Sequence, residues 1–232
     1  REGEEFPLGV LITRMMYRPG GDAAVAVAEH VSGSVQLFAE TMNQLARDLG
    51  AERTRFTNSH GVDDERQRSS AYDLALLSLW ALEHDAFSAL VANRRASIPW
   101  RGRRLRVVNH NSFLWRDPHA NGIKSSYTPE AGHSAVVSAS KDGRNLLAVV
   151  LGAPSARSRW EDVKTLLDFG FAWYEQLRQN PAIERVRYEV QPGDTLFDLA
   201  DRFDVPISVI LRMNELTNPD TLKSGDELWI PR

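Results

Sequence analysis

Along residues 7–17 (PLGVLITRMMY) the apolar positions Leu8, Leu11, Ile12 and Met15 or Met16 fall on one side at helical spacing. Gly20 and Gly21 stop that helix, and Asp22 is placed to cap a second one in AAVAVAEHV. Ser34 opens a third, in which Leu37, Phe38, Met42, Leu45 and Leu49 recur at three- and four-residue steps until Gly50. Residues 51–68 are polar and rich in turn formers, which predicts a long loop. Helical spacing returns from Ala71 to about Glu83 and from Asp85 to Ala92.

After RRASIPWRGRR the pattern changes. LRVVNHNSFLW and NGIKSSYT have short extended character, and HSAVVSASKDGRNLLAVVLG reads as a hairpin turning at Asp142 and Gly143. Its arms are nearly all apolar, as in strands covered on both faces. From Ser158 to Leu177 a wide apolar helix face includes Trp160, Val163, Leu167 and Trp173. A helical cluster with an antiparallel sheet is an α+β layout. RQNPAIER, around Pro181, is a polar connector, and the remaining residues read strand, helix, helix, strand. Expected boundaries are 1–178 for the larger unit, 179–186 for a linker and 187–232 for the smaller one.

Composition narrows the classes. With 42% hydrophobic and 25% charged residues the chain has the make-up of a folded soluble protein. A net charge of -3 from well-mixed residues gives no basic field for nucleic acid. The absence of cysteine removes disulfides, thiol nucleophiles and thiolate metal sites together. No apolar run reaches membrane-spanning length. The chain opens on Arg1 without a signal-like pattern and is read as a processed product or a fragment.

The smaller unit resembles the LysM domain over essentially all of residues 187–232. The resemblance rests on YEVQPGDTLFDLADRFDVPISVILRMNEL and LKSGDELWIP, with Ala200 and Phe203 at core positions and Asn214 ending the second helix. It implies a βααβ fold and non-catalytic binding of N-acetylglucosamine-containing glycan. By position Gly193, Asp194, Thr195 and Leu196 form one wall of the groove, and Asn218, Pro219, Asp220, Thr221 and Leu222 the other. Taken singly, Gly193 reads as a turn, Asp194 and Thr195 as caps, and Leu196 as core.

The larger unit resembles the serine-type D-alanyl-D-alanine carboxypeptidases among the low-molecular-weight penicillin-binding proteins. GGDAAVAVAEHVSGS, FAETMNQLARDLGAERTRFTNSHGVDD, SSAYDLALL, GIKSSYTPEAGHSAVVSASKDGRNLLAVVLGAPS and ARSRWEDVKTLLDFGF carry it. It implies an incomplete transpeptidase-type fold and three motifs: an S-x-x-K serine nucleophile with its lysine base, an S-x-N pair, and a strand-borne K-T-G. The literal S-x-x-K here, Ser138 with Lys141, sits on a strand running into a turn and reads as chance. The S-x-N position falls on Pro19, Gly20 and Gly21, which lack both the hydroxyl and the amide. The K-T-G position falls on Lys124, Ser125 and Ser126. Lys124 and Ser125 keep an ammonium and a hydroxyl for a terminal carboxylate, and the N–H of Tyr127 takes the oxyanion-hole position.

His60 in TNSHGVDD, with Asp63 and Asp64, invites a metal reading, but there is no H-E-x-x-H and the spacing is not that of a zinc peptidase. No metal and no cofactor is expected. The resemblances together imply an extracytoplasmic peptidoglycan protein, with stem peptide and glycan as partners. It is either a serine carboxypeptidase fragment or an inactive relative that only binds or scaffolds.

Overall fold

The computed structural model describes residues 3–179, 185–216, 219 and 222–231. They fall into two compact units, Arg1–Leu167 and Asp168–Arg232.

In the first unit, helix α1 (Leu8–Tyr17) is followed by α2 (Gly21–Ser32) and α3 (Val35–Asp48). Ser34 accepts the N–H of Leu37 and caps α3 as its sequence position predicts. The cap of α2 is Gly20 rather than Asp22, which lies in the first turn with its carboxylate on the N–H of Ala23. Negative charge there still favours the helix N-terminus. The buried face of α2 consists of Ala23, Ala24, Val27 and Ala28. Residues 51–68 form the expected loop, closed by a bridge between Arg55 and Arg68. Then come α4 (Ala71–Leu82) and α5 (Asp85–Ala92).

RASIPW, which no periodicity marked as a strand, forms β1 (Arg95–Trp100), paired antiparallel with β2 (Arg103–Val108). Ile98 and Val107 of this hairpin pack with Val10 and Tyr17 of α1. SFLW departs from the extended reading: it is a 3-10 turn, capped by the side chain of Asn111. The central sheet is three-stranded and antiparallel, in the order β3 (Ala120–Thr128), β4 (Gly132–Lys141), β5 (Arg144–Ala153). Helix α5 packs on β3 so closely that a Cβ at Gly122 would lie 2.9 Å from Val91 Cγ2 and 2.8 Å from Ser138 Oγ. Helix α6 (Ala156–Gln179) buries Trp160, Val163 and Leu167.

The boundary between the units falls inside α6. In the second unit, β6 (Arg185–Glu189) pairs antiparallel with β7 (Glu227–Pro231), with α7 (Leu196–Phe203) and α8 (Ile207–Met213) between them in sequence. Val190, Leu196, Leu199, Val205, Ile210, Leu228 and Ile230 form the core, and Trp173 from the last turns of α6 packs against it. Asn214 joins α8 to β7 by donating to the carbonyls of Ile210 and Trp229 and accepting the Trp229 N–H. Among the described residues no single helix is long and apolar enough to cross a membrane.

Candidate functional site

Strand β3 carries the polar residues on which the larger unit converges. Lys124 Nζ donates to the carbonyl of Ser125 at 3.0 Å. Burial lowers the pKa of this ammonium below the usual lysine range, and the nearby Arg159 guanidinium lowers it further. No carboxylate among the described residues pairs with it. Ser125 is buried, and its hydroxyl makes a long 3.4 Å contact to the carbonyl of His110. Ser126 and Tyr127 are exposed, and the Tyr127 ring stacks on His133 with centroids 4.2 Å apart.

Arg159, which the sequence reading passed over, is 7% exposed. Its Nη1 donates to the carbonyls of Ser126 on β3 and Ser134 on β4, at 3.1 and 3.4 Å, while its guanidinium lies over the Trp160 ring. It therefore fixes the end of β3 beside Lys124. The spacing of ARSRW offered a faint signal, since Arg159 falls on the same side of α6 as Val163, an unusual place for a solvated charge.

The Pro19–Gly21 break stands at the entry to α2. The Pro19 carbonyl accepts from Arg14 Nη1 at 2.9 Å, and a Cβ at Gly20 would come within 3.1 Å of Met15 Cα, a tight approach that favours glycine there. A Cβ at Gly21 would meet only His60 Cβ, at 3.7 Å. This break is tied to β3 through His110, whose N–H donates to the Tyr17 carbonyl. Burial lowers the His110 imidazole pKa, with Arg18, Lys124 and Arg14 adding to the effect. The surroundings of Lys124 are thus cationic, and their chemistry suits an anionic group such as a peptide carboxylate.

Ser138 and Lys141 do not form a nucleophile and base. Ser138 is buried against Gly122 with its hydroxyl unpartnered, while Lys141 is exposed at the end of β4. The acidic residues near His60 are engaged elsewhere: Asp63 accepts from Thr128 Oγ1 at 2.8 Å, and Arg66 holds the Asp64 carboxyl at a pKa of about 2. Among the described residues no group of acidic and histidine side chains is arranged to hold a metal ion.

In the smaller unit Gly193 takes a left-handed φ of 91°, which favours glycine. The Asp194 carboxylate accepts from Tyr188 Oη, the Gln191 N–H and Arg202, and those contacts hold its pKa below the usual range. Thr195 caps α7 in a reciprocal box with Asp198, and Leu196 is core. These three side chains serve the fold, leaving backbone groups for a ligand. On the opposite wall Pro219 is buried and Leu222 packs on the core, while Asn218, Asp220 and Thr221 lie outside the described residues. Phe197, 53% exposed in the first turn of α7, is an apolar surface the sequence reading missed.

Helices around a three-stranded antiparallel sheet form an α+β unit, joined here to a βααβ unit. The family profile of the D-alanyl-D-alanine carboxypeptidases matches residues 1–155, and that of the LysM domain matches residues 188–231. The chain belongs to the D-alanyl-D-alanine carboxypeptidase family and carries a C-terminal LysM domain. It is 30% identical to D-alanyl-D-alanine carboxypeptidase DacF of Bacillus subtilis over 235 residues, covering 99% of the chain and 60% of DacF. Against DacD of Escherichia coli it is 36% identical over 171 residues, covering 73% of the chain and 43% of DacD. The chain thus spans less than two thirds of the length of these relatives. Among solved structures, a D-alanyl-D-alanine carboxypeptidase from Mycobacterium tuberculosis superposes with a TM-score of 0.69 at 28% identity, covering 74% of this chain and 67% of that one. A variant of the Streptomyces K15 DD-transpeptidase gives 0.70 at 25% identity, covering 73% and 70%.

Proposed function

We propose that residues 1–232 bind peptidoglycan at two places without carrying out the serine acyl-enzyme reaction. Lys124 and Ser125 receive the C-terminal carboxylate of a stem peptide. The LysM unit holds an N-acetylglucosamine-containing glycan through backbone groups of residues 193–196 and the wall that includes Leu222, with Phe197 beside them. The observation that carries the peptide half is Lys124: a half-buried ammonium among cations, with one carbonyl as acceptor and no carboxylate partner among the described residues. Withdrawing such a group even partly from water has a cost, which a ligand that supplies the missing anion offsets.

The same residues argue against turnover. The one S-x-x-K in the sequence has its serine buried, and Pro19 and Gly21 cannot relay a proton or hold a substrate amide. A serine hydroxyl needs a base in hydrogen-bond reach, and members of a catalytic unit do not replace one another. Peptidoglycan as ligand also places the protein outside the cytoplasm. Co-sedimentation with insoluble peptidoglycan tests the reading: the protein is expected in the pellet with no D-alanine released. A protein left in the supernatant refutes binding, and released D-alanine refutes the loss of catalysis.

A further inference from the structure

We infer that His60 supplies the ligand-facing hydrogen-bond donor that Gly21 lacks, through the Nε2–H of its imidazole. The inference rests on the peptide-binding reading above and names a further residue of that site.

Three observations carry it. First, the space a side chain at position 21 would enter adjoins His60, since a Cβ built on Gly21 has His60 Cβ as its single neighbour, at 3.7 Å. Second, His60 is carried on a pre-organised loop. Asn58 Oδ1 accepts the N–H groups of His60 and Gly61, at 3.2 and 2.7 Å, and Asn58 Nδ2 donates to the Val62 carbonyl at 2.9 Å. Asp63 then fastens the loop to Thr128 at the end of β3, the strand of Lys124. Third, the Val62 N–H donates to His60 Nδ1 at 3.2 Å. A ring nitrogen that accepts this bond carries no proton, so the neutral imidazole holds its proton on Nε2. His60 is exposed, which leaves Nε2–H open to a ligand.

A neutral imidazole N–H and a side-chain amide N–H are both single donors suited to a peptide carbonyl. Because the loop is already ordered, little conformational freedom is lost on binding. The ligand chemistry is a carbonyl of a D-alanyl-D-alanine-terminated peptide whose carboxylate sits at Lys124.

The test is calorimetric titration of the 232-residue protein with diacetyl-L-lysyl-D-alanyl-D-alanine. His60→Ala should weaken binding about three- to ten-fold, the worth of one neutral hydrogen bond, with no change in melting temperature. His60→Gln, which keeps a donor, should recover most of the affinity. Gly21→Asn in the His60→Ala background should also recover it, since the vacated space accepts the side chain. His60→Ala within two-fold of the parent protein, while Lys124→Met abolishes binding, overturns the role of His60 and leaves the peptide reading standing. A loss restored by neither second change assigns His60 to packing and overturns the inference as well. Absence of binding by the parent protein overturns both.

Discussion

The backbone N–H of His110 donates to the Tyr17 carbonyl across 2.9 Å, tying the end of α1 to the segment that enters β3. Tyr17 is 1% exposed, and its hydroxyl donates to the Leu90 carbonyl at 3.0 Å, so one residue links α1, α5 and the β3 approach. Tyr17→Phe leaves that part-buried carbonyl with only the long 3.4 Å bond from the Asn93 N–H. The expected cost is about 1–2 kcal/mol, read as a fall in melting temperature of about 2–8 °C. An unchanged melting temperature would show that the link carries no stability.

Lys124 sets function against stability. Its pKa is lowered by burial and by Arg159, so between the folded and unfolded pKa values the unfolded state binds more protons, and stability rises with pH across that window. Lys124→Met removes the half-buried charge while keeping the stem. It should stabilise the protein by about 1 kcal/mol, a rise of about 2–4 °C in melting temperature, and abolish peptide binding. A destabilised Lys124→Met protein, or one that still binds, contradicts the assignment.

Arg159→Met should loosen the end of β3, because the guanidinium holds the carbonyls of Ser126 and Ser134. Charge-assisted hydrogen bonds of this kind are worth about 1.5–3 kcal/mol. Peptide affinity should drop about ten-fold or more together with a lower melting temperature. Amide exchange across β3 and β4 checks it: protection should fall at Ser126 and Ser134 before it falls in α2.

Much of this fold was legible in the residues. Ser34 and Thr195 begin helices because each solves a local problem at a helix start, and Asp142 with Gly143 turns the β4–β5 hairpin. In the hairpin of β1 and β2 the extended reading of LRVV holds, but β1 and the pairing were not legible. Its arms are rich in arginine, and only Ile98 and Val107 bury, against α1 residues about ninety positions away, so its pairing comes from tertiary contacts that no local period reveals. Lys124 and Ser125 lie on a strand, as a strand-borne motif requires. Arg159 stayed hidden because its contacts are to carbonyls supplied by distant segments. Asp194 shows the converse, a motif residue whose carboxylate is consumed by Tyr188, Gln191 and Arg202.

The state of Asp194 gives the LysM unit an acid limit. Its folded pKa is lowered, first by the Tyr188 hydroxyl, so its contribution is present above the ordinary carboxylate range and lost as pH falls through the folded value. The unit's melting temperature should decline below about pH 4 in the parent protein. In Asp194→Asn it should be lower at neutral pH and less sensitive to acid. Equal acid dependence in both proteins would remove Asp194 from this role.

Ser138 should be chemically silent. Its buried hydroxyl is unpartnered, so Ser138→Ala should be neutral or slightly stabilising, within about 1 kcal/mol. Intact mass measurement after incubation with a labelled penicillin should show no adduct in either protein, whereas a stable adduct lost in Ser138→Ala would make it a nucleophile.

Binding of a D-alanyl-D-alanine peptide without its hydrolysis is tested most directly by a proton NMR titration of residues 1–232 with diacetyl-L-lysyl-D-alanyl-D-alanine, followed for hours in one tube. Saturable shifts at Lys124, Ser125 and His60, with the peptide's methyl signals intact throughout, are expected. Free D-alanine accumulating in the tube, or no shift at these residues at saturating peptide, would contradict the account.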